Sequence, residues 1–307
     1  MLEPKIIQKL IADDAVSDKK RFAKTGQSYY DGDHKIKDYK IYYYNSDGKV
    51  VEDTTKSNIK IEHPFFTELV DQCVQYLLSG KSSIVRADDQ ALQKELDSYF
   101  NDIFKAELEK VLTDTCVNGF GYMYCYKNAD DRLAFERAAA MGVVEVRANE
   151  ASVKVDCVIY WYIDGTAKNN QQIKRIQVWD KEQTYYYVQI GNGTLELDTS
   201  VEFNPRPHVV YQKGGQYYQE SLGFIPFFKL TANEKQASHL KPIKSLIDDY
   251  DITDSGWANN LQDMGEAVWV VKGFDGDNIE ELIANVKAKK SIGVGEGGDL
   301  DIKTFAI

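Results

Sequence analysis

Residues His239 to Phe274 read HLKPIKSLIDDYDITDSGWANNLQDMGEAVWVVKGF, and the way this stretch folds decides the architecture of the chain. Leu240, Ile243, Ile247, Tyr250, Asp254, Trp257, Leu261 and Met264 recur at alternating steps of three and four. That is an a/d heptad seam with one polar member, Asp254. The spacing predicts one long helix from about Ala232 to Met264, roughly 50 Å at 1.5 Å per residue. Between Ser245 and Glu266 the chain carries Asp248, Asp249, Asp251, Asp254, Asp263 and Glu266, and no lysine or arginine. Aspartate is a poor helix former, and Gly256 costs about 1 kcal/mol relative to alanine. Local propensity therefore does not make this helix. Its seam must pack, against its own domain or against neighbouring copies.

The acids allow two readings. One is a solvated acidic face on a long helix. The other is catalytic: Asp248 and Asp251 stand three apart, share a helix face, and could begin the metal site of a nuclease. Such a site needs further carboxylates from other elements, and no recognisable set is present. After the helix, AVWVVKGF is apolar on both faces and reads as a strand. Asp277 can cap the helix DNIEELIANVKAKK, and SIGV and DLDIKTFAI are strand candidates, giving a compact βαββ module. GVGEGG, Gly293 to Gly298, matches a dinucleotide fingerprint in form. A strand pattern follows it where a helix would be required, so it reads as a glycine-rich turn.

Upstream, the first thirty residues show helical periodicity, with Ser17 as the cap of DKKRFAKTGQSYY. DGDH, Asp31 to His34, reads as a solvated turn, and KIYYY with the NSDGK turn as a hairpin. HPFFTELVDQCVQYLLSG is a helix with an apolar stripe of Phe66, Leu69, Val70, Cys73 and Leu77. SSIV is a short strand, and Asp88 or Asp89 caps the first of two further helices. From Gly119 to about Leu230 the signal turns to short β-rich runs separated by turn residues, the last closed by Gly191-Asn-Gly. Helices first and antiparallel strands second argue an α+β fold.

The chain has 307 residues, 43% of them hydrophobic, with a net charge of −11. That balance argues against tight nucleic-acid binding in a basic groove, but suits a surface past which DNA must slide. No apolar run approaches the roughly 18 residues of a membrane helix, and the acidic N-terminus is unlike a signal peptide. Cys73, Cys116, Cys125 and Cys157 form no C-x-x-C pair, which points to reduced core thiols rather than zinc. No cofactor motif is present.

YYDGDHKI, HPFFTELVDQCVQYLLSGK, NGFGYMYCYK, GFIPFFKLTANEKQASHLKPIKSLIDDYD, ANNLQDMGEAVWVVKGFDGDNIEELIANVKAKKSIGV and GGDLDIKT together resemble portal (head–tail connector) proteins of siphovirus-type tailed bacteriophages of Gram-positive hosts. The resemblance covers nearly the whole chain and is most specific from Phe224 to Thr304. It implies a non-enzymatic subunit of a dodecameric ring at one capsid vertex of the virion, assembled in the host cytoplasm. Its implied partners are copies of itself, the large terminase subunit, head-completion and adaptor proteins, scaffold and major capsid protein. Double-stranded DNA would pass without sequence specificity, and no cofactor, metal or membrane is implied.

The resemblance also divides the chain. Residues 1–58 form an N-terminal helical and hairpin region, 59–230 a wing, 231–266 a stem helix, and 267–307 a clip-like module. Leu240, Ile243, Ile247, Tyr250, Trp257, Leu261 and Met264 would be the packing seam. Asp248, Asp249, Asp251, Asp254 and Asp263 would be the acidic face, and Trp269, Phe274, Asp277 and Lys287 the clip-surface candidates. Family members continue beyond DIKT into a return stem helix and crown, so a chain without its C-terminal part is expected. A metal-dependent nuclease and a monomeric interaction module are the alternatives.

Overall fold

The structure is a computed structural model that describes the chain except residues 1, 55, 81–83, 129–131, 150–151, 168–169, 264–267, 273–300 and 306–307. Two compact units are assembled, each from separated stretches: residues 1–33 with 64–244, and residues 34–63 with 245–307. The sequence boundaries at 58 and 230 therefore do not coincide with the compact units, because residues 34–63 group with the end of the chain.

The first unit is α+β. Helices α1 (Pro4–Ala15) and α2 (Asp18–Tyr30) open it, and the Ser17 side chain accepts the Lys20 N–H as a cap. Three more follow: α3 (Phe65–Leu78), α4 (Gln90–Tyr99) capped by Asp89, and α5 (Asp102–Asn118) capped by Asn101. In α3 the buried row is Phe66, Val70 and Val74, while Leu69 and Leu77 are exposed. The apolar stripe read from the sequence is thus rotated, because successive steps of four beat the mixed register. Ile84 and Val85 are not in a strand.

The antiparallel part begins with β3 (Phe120–Lys127), β4 (Leu133–Ala138), β5 (Val143–Arg147), β6 (Val155–Thr166), β7 (Gln172–Trp179) and β8 (Gln183–Ile190). It ends with β9 (Glu196–Leu197), β10 (Arg206–Pro207), β11 (Val209–Lys213), β12 (Gln216–Glu220) and β13 (Phe227–Thr231). One sheet runs β10-β8-β7-β6-β5 with β9 added to β8, a second runs β13-β3-β4, and β11–β12 is a separate hairpin. Strand β6 is buried on both faces at its centre. Cys157 and Ile159 meet Ile7 and Ile11 of α1, whereas Val158 and Tyr160 face Phe120, Tyr122 and Ala23. The period of two assigns alternate residues to two different cores.

Lys20 ties these layers together. It is 2% exposed, and its ammonium donates to the carbonyls of Ala140, Met141 and Val143 at 2.9, 2.9 and 3.0 Å. Asp14 stands 3.1 Å away as its counter-ion. Burial pushes the Lys20 amine below its ordinary 10.5, and Asp14 opposes that shift. Cys116, Cys125 and Cys157 are buried free thiols and Cys73 is half-buried.

Helix α5 stops at Gly119, whose φ of +90° lies in the left-handed region. A Cβ there would lie 2.4 Å from the Gln236 carbonyl oxygen, so the loop after β13 can rest on the helix end only because this residue is glycine.

The second unit contains a 3-10 turn at Lys35–Asp38 and the hairpin β1 (Tyr42–Tyr44) with β2 (Val50–Glu52). Residues 56–63, which are in neither helix nor strand, follow. Helix α6 (Lys244–Asp263) and the antiparallel pair β14 (Val268–Lys272) with β15 (Asp301–Phe305) complete it. The helix is 20 residues long, about 30 Å, and starts at Lys244 instead of Ala232. Two local features delay it. Asn233 folds residues 233–237 into a loop by exchanging hydrogen bonds with Ala237, and Pro242 disfavours α geometry at Lys241. Met264, Phe274, Asp277 and Lys287, the capped helix after Asp277 and the GVGEGG turn lie outside the described residues, as does most of the expected βαββ module.

Candidate functional site

Of the residues that sequence reasoning singled out, Ile247, Tyr250, Trp257, Leu261 and the five aspartates Asp248, Asp249, Asp251, Asp254 and Asp263 lie in α6. Its buried row is Ile247, Asp251, Ser255 and Asn259, four apart and so on one side of the helix. Three of these four are polar, which is an unusual face for a helix to bury. Each polar member meets the backbone of the stretch before α3. The Ile59 N–H donates to Asn259 Oδ1 at 2.6 Å, the Ile61 N–H to Ser255 Oγ at 2.9 Å, and the His63 N–H to Asp251 Oδ1 at 3.0 Å. The chain is strapped along the helix, and side chains stand in for a neighbouring strand. Every second strap residue advances about 6.6 Å and every fourth helix residue about 6.0 Å, so the two repeats meet rung by rung.

Asp251, only 1% exposed, is the anchor. His34 Nδ1 lies 2.7 Å from its Oδ2, and His63 Nδ1 lies 2.9 Å from its Oδ1. The other ring nitrogen of His63 faces Asp254 Oδ2 at 3.2 Å, and Tyr250 meets the same ring edge-on with centroids 4.5 Å apart. A carboxylate thus stands at each ring nitrogen of His63. Removing these two imidazoles from Asp251 would leave a buried carboxylate without their donors, a costly state.

The predicted seam is divided by this arrangement. Leu240, at 0% exposure, and Ile247, at 4%, are buried and Ile243 is half-buried. Tyr250, Trp257 and Leu261 stay 52%, 64% and 53% exposed. With Leu246 they span about 60° of the helix circumference at 100° per residue, roughly 130° round from the strapped row. The acids do not form one face either. Asp251 points inward, Asp254 sits at the edge holding His63, Asp248 is half-buried and Asp249 is exposed. Asp263 is the last residue of α6, and Trp269 lies in β14.

His34 and His63 are the residues that sequence reasoning missed. DGDH is a turn as expected, but His34 is buried against Asp251 instead of solvated. The partners are 217 residues apart in the chain, so no spacing signal could have linked them. Among the described residues, no group of three or more His, Cys, Asp or Glu side chains is placed to hold a metal ion. Asp251 is committed to histidines, which leaves the nuclease reading without footing there. No described helix is long and apolar enough to cross a membrane.

The family model for "Phage portal protein, SPP1 Gp6-like" matches residues 11–307. The chain belongs to this family of phage portal proteins. It is 28% identical over 282 residues to the portal protein of Bacillus phage SPP1, covering 90% of this chain and 54% of that protein. It is 23% identical over 293 residues to the portal protein of Clostridium phage phiCD119, covering 87% of this chain and 62% of that one. The chain therefore spans little more than half the length of the curated relatives it matches.

Proposed function

We propose that the chain is a subunit of a portal ring through which DNA enters and leaves the capsid, with α6 as a stem helix packed against α6 of neighbouring copies. The observation that carries this reading is the exposed stripe Leu246, Tyr250, Trp257 and Leu261 on a helix whose other side is occupied by the chain's own strap. A contiguous row of large apolar side chains in water marks an interaction surface. A neighbouring copy presenting the same helix is the occupant that family membership favours. Ring closure would bury the stripe between subunits and leave other sides of α6 to face the channel.

The acids of α6 then acquire a role. DNA carries one negative charge per about 1.7 Å of duplex, and cationic walls would bind it with counterion release. Carboxylates such as Asp249 would keep the channel from adhering to the moving duplex. The clip reading of residues 267–307, with Trp269, Phe274, Asp277 and Lys287 facing the terminase motor and head-completion proteins, belongs to the same proposal. So do the dodecameric state and a place at the portal vertex of the virion.

The test is electron microscopy of a chimera that continues this chain with the remaining length of the Bacillus phage SPP1 portal protein. Closed rings with a central channel are expected. Rings should be lost, with the fold kept by circular dichroism, in Trp257→Glu with Leu261→Glu. A chimera that stays monomeric at high concentration, or rings indifferent to the double substitution, would overturn the proposal.

A further inference from the structure

A cavity of about 280 Å³ opens in the first unit between the start of α2, the end of α5 and the loop that follows β13. It is slightly smaller than the roughly 300–1,000 Å³ of drug-sized ligand sites, so its natural occupant is a small group. Lys19, Lys235 and Lys241 line it, against Asp18 and Glu234. Asp18 is already engaged by Arg21. The loop wall is built firmly: Asn233 clasps Ala237 through both side-chain atoms. Gln236 is held at a φ of +51°, a conformation that costs a non-glycine residue roughly 1 kcal/mol or more. Lys19 Nζ donates to Gln236 Oε1 at 2.6 Å and lies 3.9 Å from the centre of the Phe120 ring.

The decisive residue is Asn118, also in the wall. Its side chain is 2% exposed, yet neither the amide oxygen nor the amide nitrogen has a hydrogen-bond partner among the described residues. A buried amide left in that state costs about 1–3 kcal/mol, and such exceptions call for an explanation. We propose that the cavity binds a small oxyanion, a carboxylate or phosphate group, held by the Lys19 and Lys241 ammonium groups and the Asn118 amide nitrogen.

The electrostatics agree. Burial and the adjacent Lys229 of β13 bring the Lys19 amine down to about 7, with Lys20 adding to the shift and Glu145 of β5 opposing it. An anion in the cavity adds to the negative charge that Glu145 already supplies and restores the proton. Binding above pH 7 therefore takes up a proton and weakens as pH rises.

Calorimetric titration of the full chain with inorganic phosphate and, separately, acetate, at fixed ionic strength and at pH 7 and 8, tests this. Saturable binding with proton uptake at pH 8 is expected. It should weaken about tenfold or more in Lys19→Met and in Lys241→Met, and vanish in Asn118→Asp, which replaces the donor amide with a carboxylate that repels the anion. Phosphate binding without acetate assigns a phosphoryl source, and the converse a carboxylate source. If Lys19→Met does not fold, the exposed Lys241→Met carries the comparison. No saturable binding of either probe below about 20 mM, or binding by Lys241→Met equal to the parent, overturns the site.

Discussion

Replacing Asp251 with alanine isolates the strap. The substitution removes the acceptor of three interactions at once: His34 Nδ1 at 2.7 Å, His63 Nδ1 at 2.9 Å and the His63 N–H at 3.0 Å. Hydrogen bonds to a charged group are worth about 1.5–3 kcal/mol each. Deleting one partner of a buried ion pair costs about 3–5 kcal/mol in all. Relaxation of His63, whose side chain is 19% exposed, holds the expected loss near the lower end, about 3 kcal/mol, which is roughly a 150-fold change in a local opening equilibrium. Hydrogen exchange read amide by amide is the assay. In Asp251→Ala the Ile59, Ile61 and His63 amides should exchange about 150-fold faster, while Val178 and Tyr122 in the first unit keep the parent rate. Asp251→Asn retains the shape and should fall between. Asp249→Ala, at an exposed site on the same helix, is the control. If the three strap amides exchange in Asp251→Ala as they do in Asp249→Ala, the side-chain ladder does not hold the segment and the reasoning fails.

Gly119→Ala combines a left-handed φ with a Cβ 2.4 Å from the Gln236 oxygen, and should lose more than about 2 kcal/mol in urea denaturation. Lys20→Met strips the Ala140, Met141 and Val143 carbonyls of their shared donor, and a loss of about 3 kcal/mol is expected by the same measurement. Stability should also rise between pH 7 and pH 8. Folded Lys19 gives up its proton near 7, whereas the unfolded chain keeps it to about 10.5, so the unfolded state binds more protons in that window and raising pH favours the fold. Above about pH 9 the Cys125 and Cys157 thiols, pushed by burial from 9.0 up to about 11, turn the trend round. Urea midpoints at pH 7 and 8 should therefore differ in the parent and differ by less in Lys19→Met.

Much of the first unit was legible because its signals are local. Ser17 and Asp89 cap the helices they precede, and apolar residues at helical spacing or at a period of two mark which elements are buried. The rotation of the α3 stripe shows the limit. Leu69 and Leu77 are as apolar as Val70 and Val74, and only the tertiary partners choose between two registers. Helix α6 shows a harder limit. Asp251, Ser255 and Asn259 look like a solvated face in any window of sequence, because polar residues at helical spacing normally point to water. Here they are buried by a segment about two hundred residues upstream, and composition gives no hint of that closure. Conversely the apolar members Trp257 and Leu261, which read as part of a packing seam, are exposed in the isolated chain. A seam whose partner is another molecule carries the same pattern as one whose partner is its own domain.

The strap is self-limiting. From Ile59 to His63 an extended chain advances about 13.2 Å, while α6 from Asp251 to Asn259 advances about 12.0 Å. The contacted row also winds about 80° around the cylinder over the same distance. A fourth rung would be displaced along the axis and turned out of reach. The ladder thus behaves as a vernier: three rungs coincide in one setting, and a shift of a single residue would misalign all of them together. Such a fitting fixes the azimuth at which α6 presents its exposed stripe relative to the strap, a quantity that the proposed ring of identical rods would require to be constant from one member to the next.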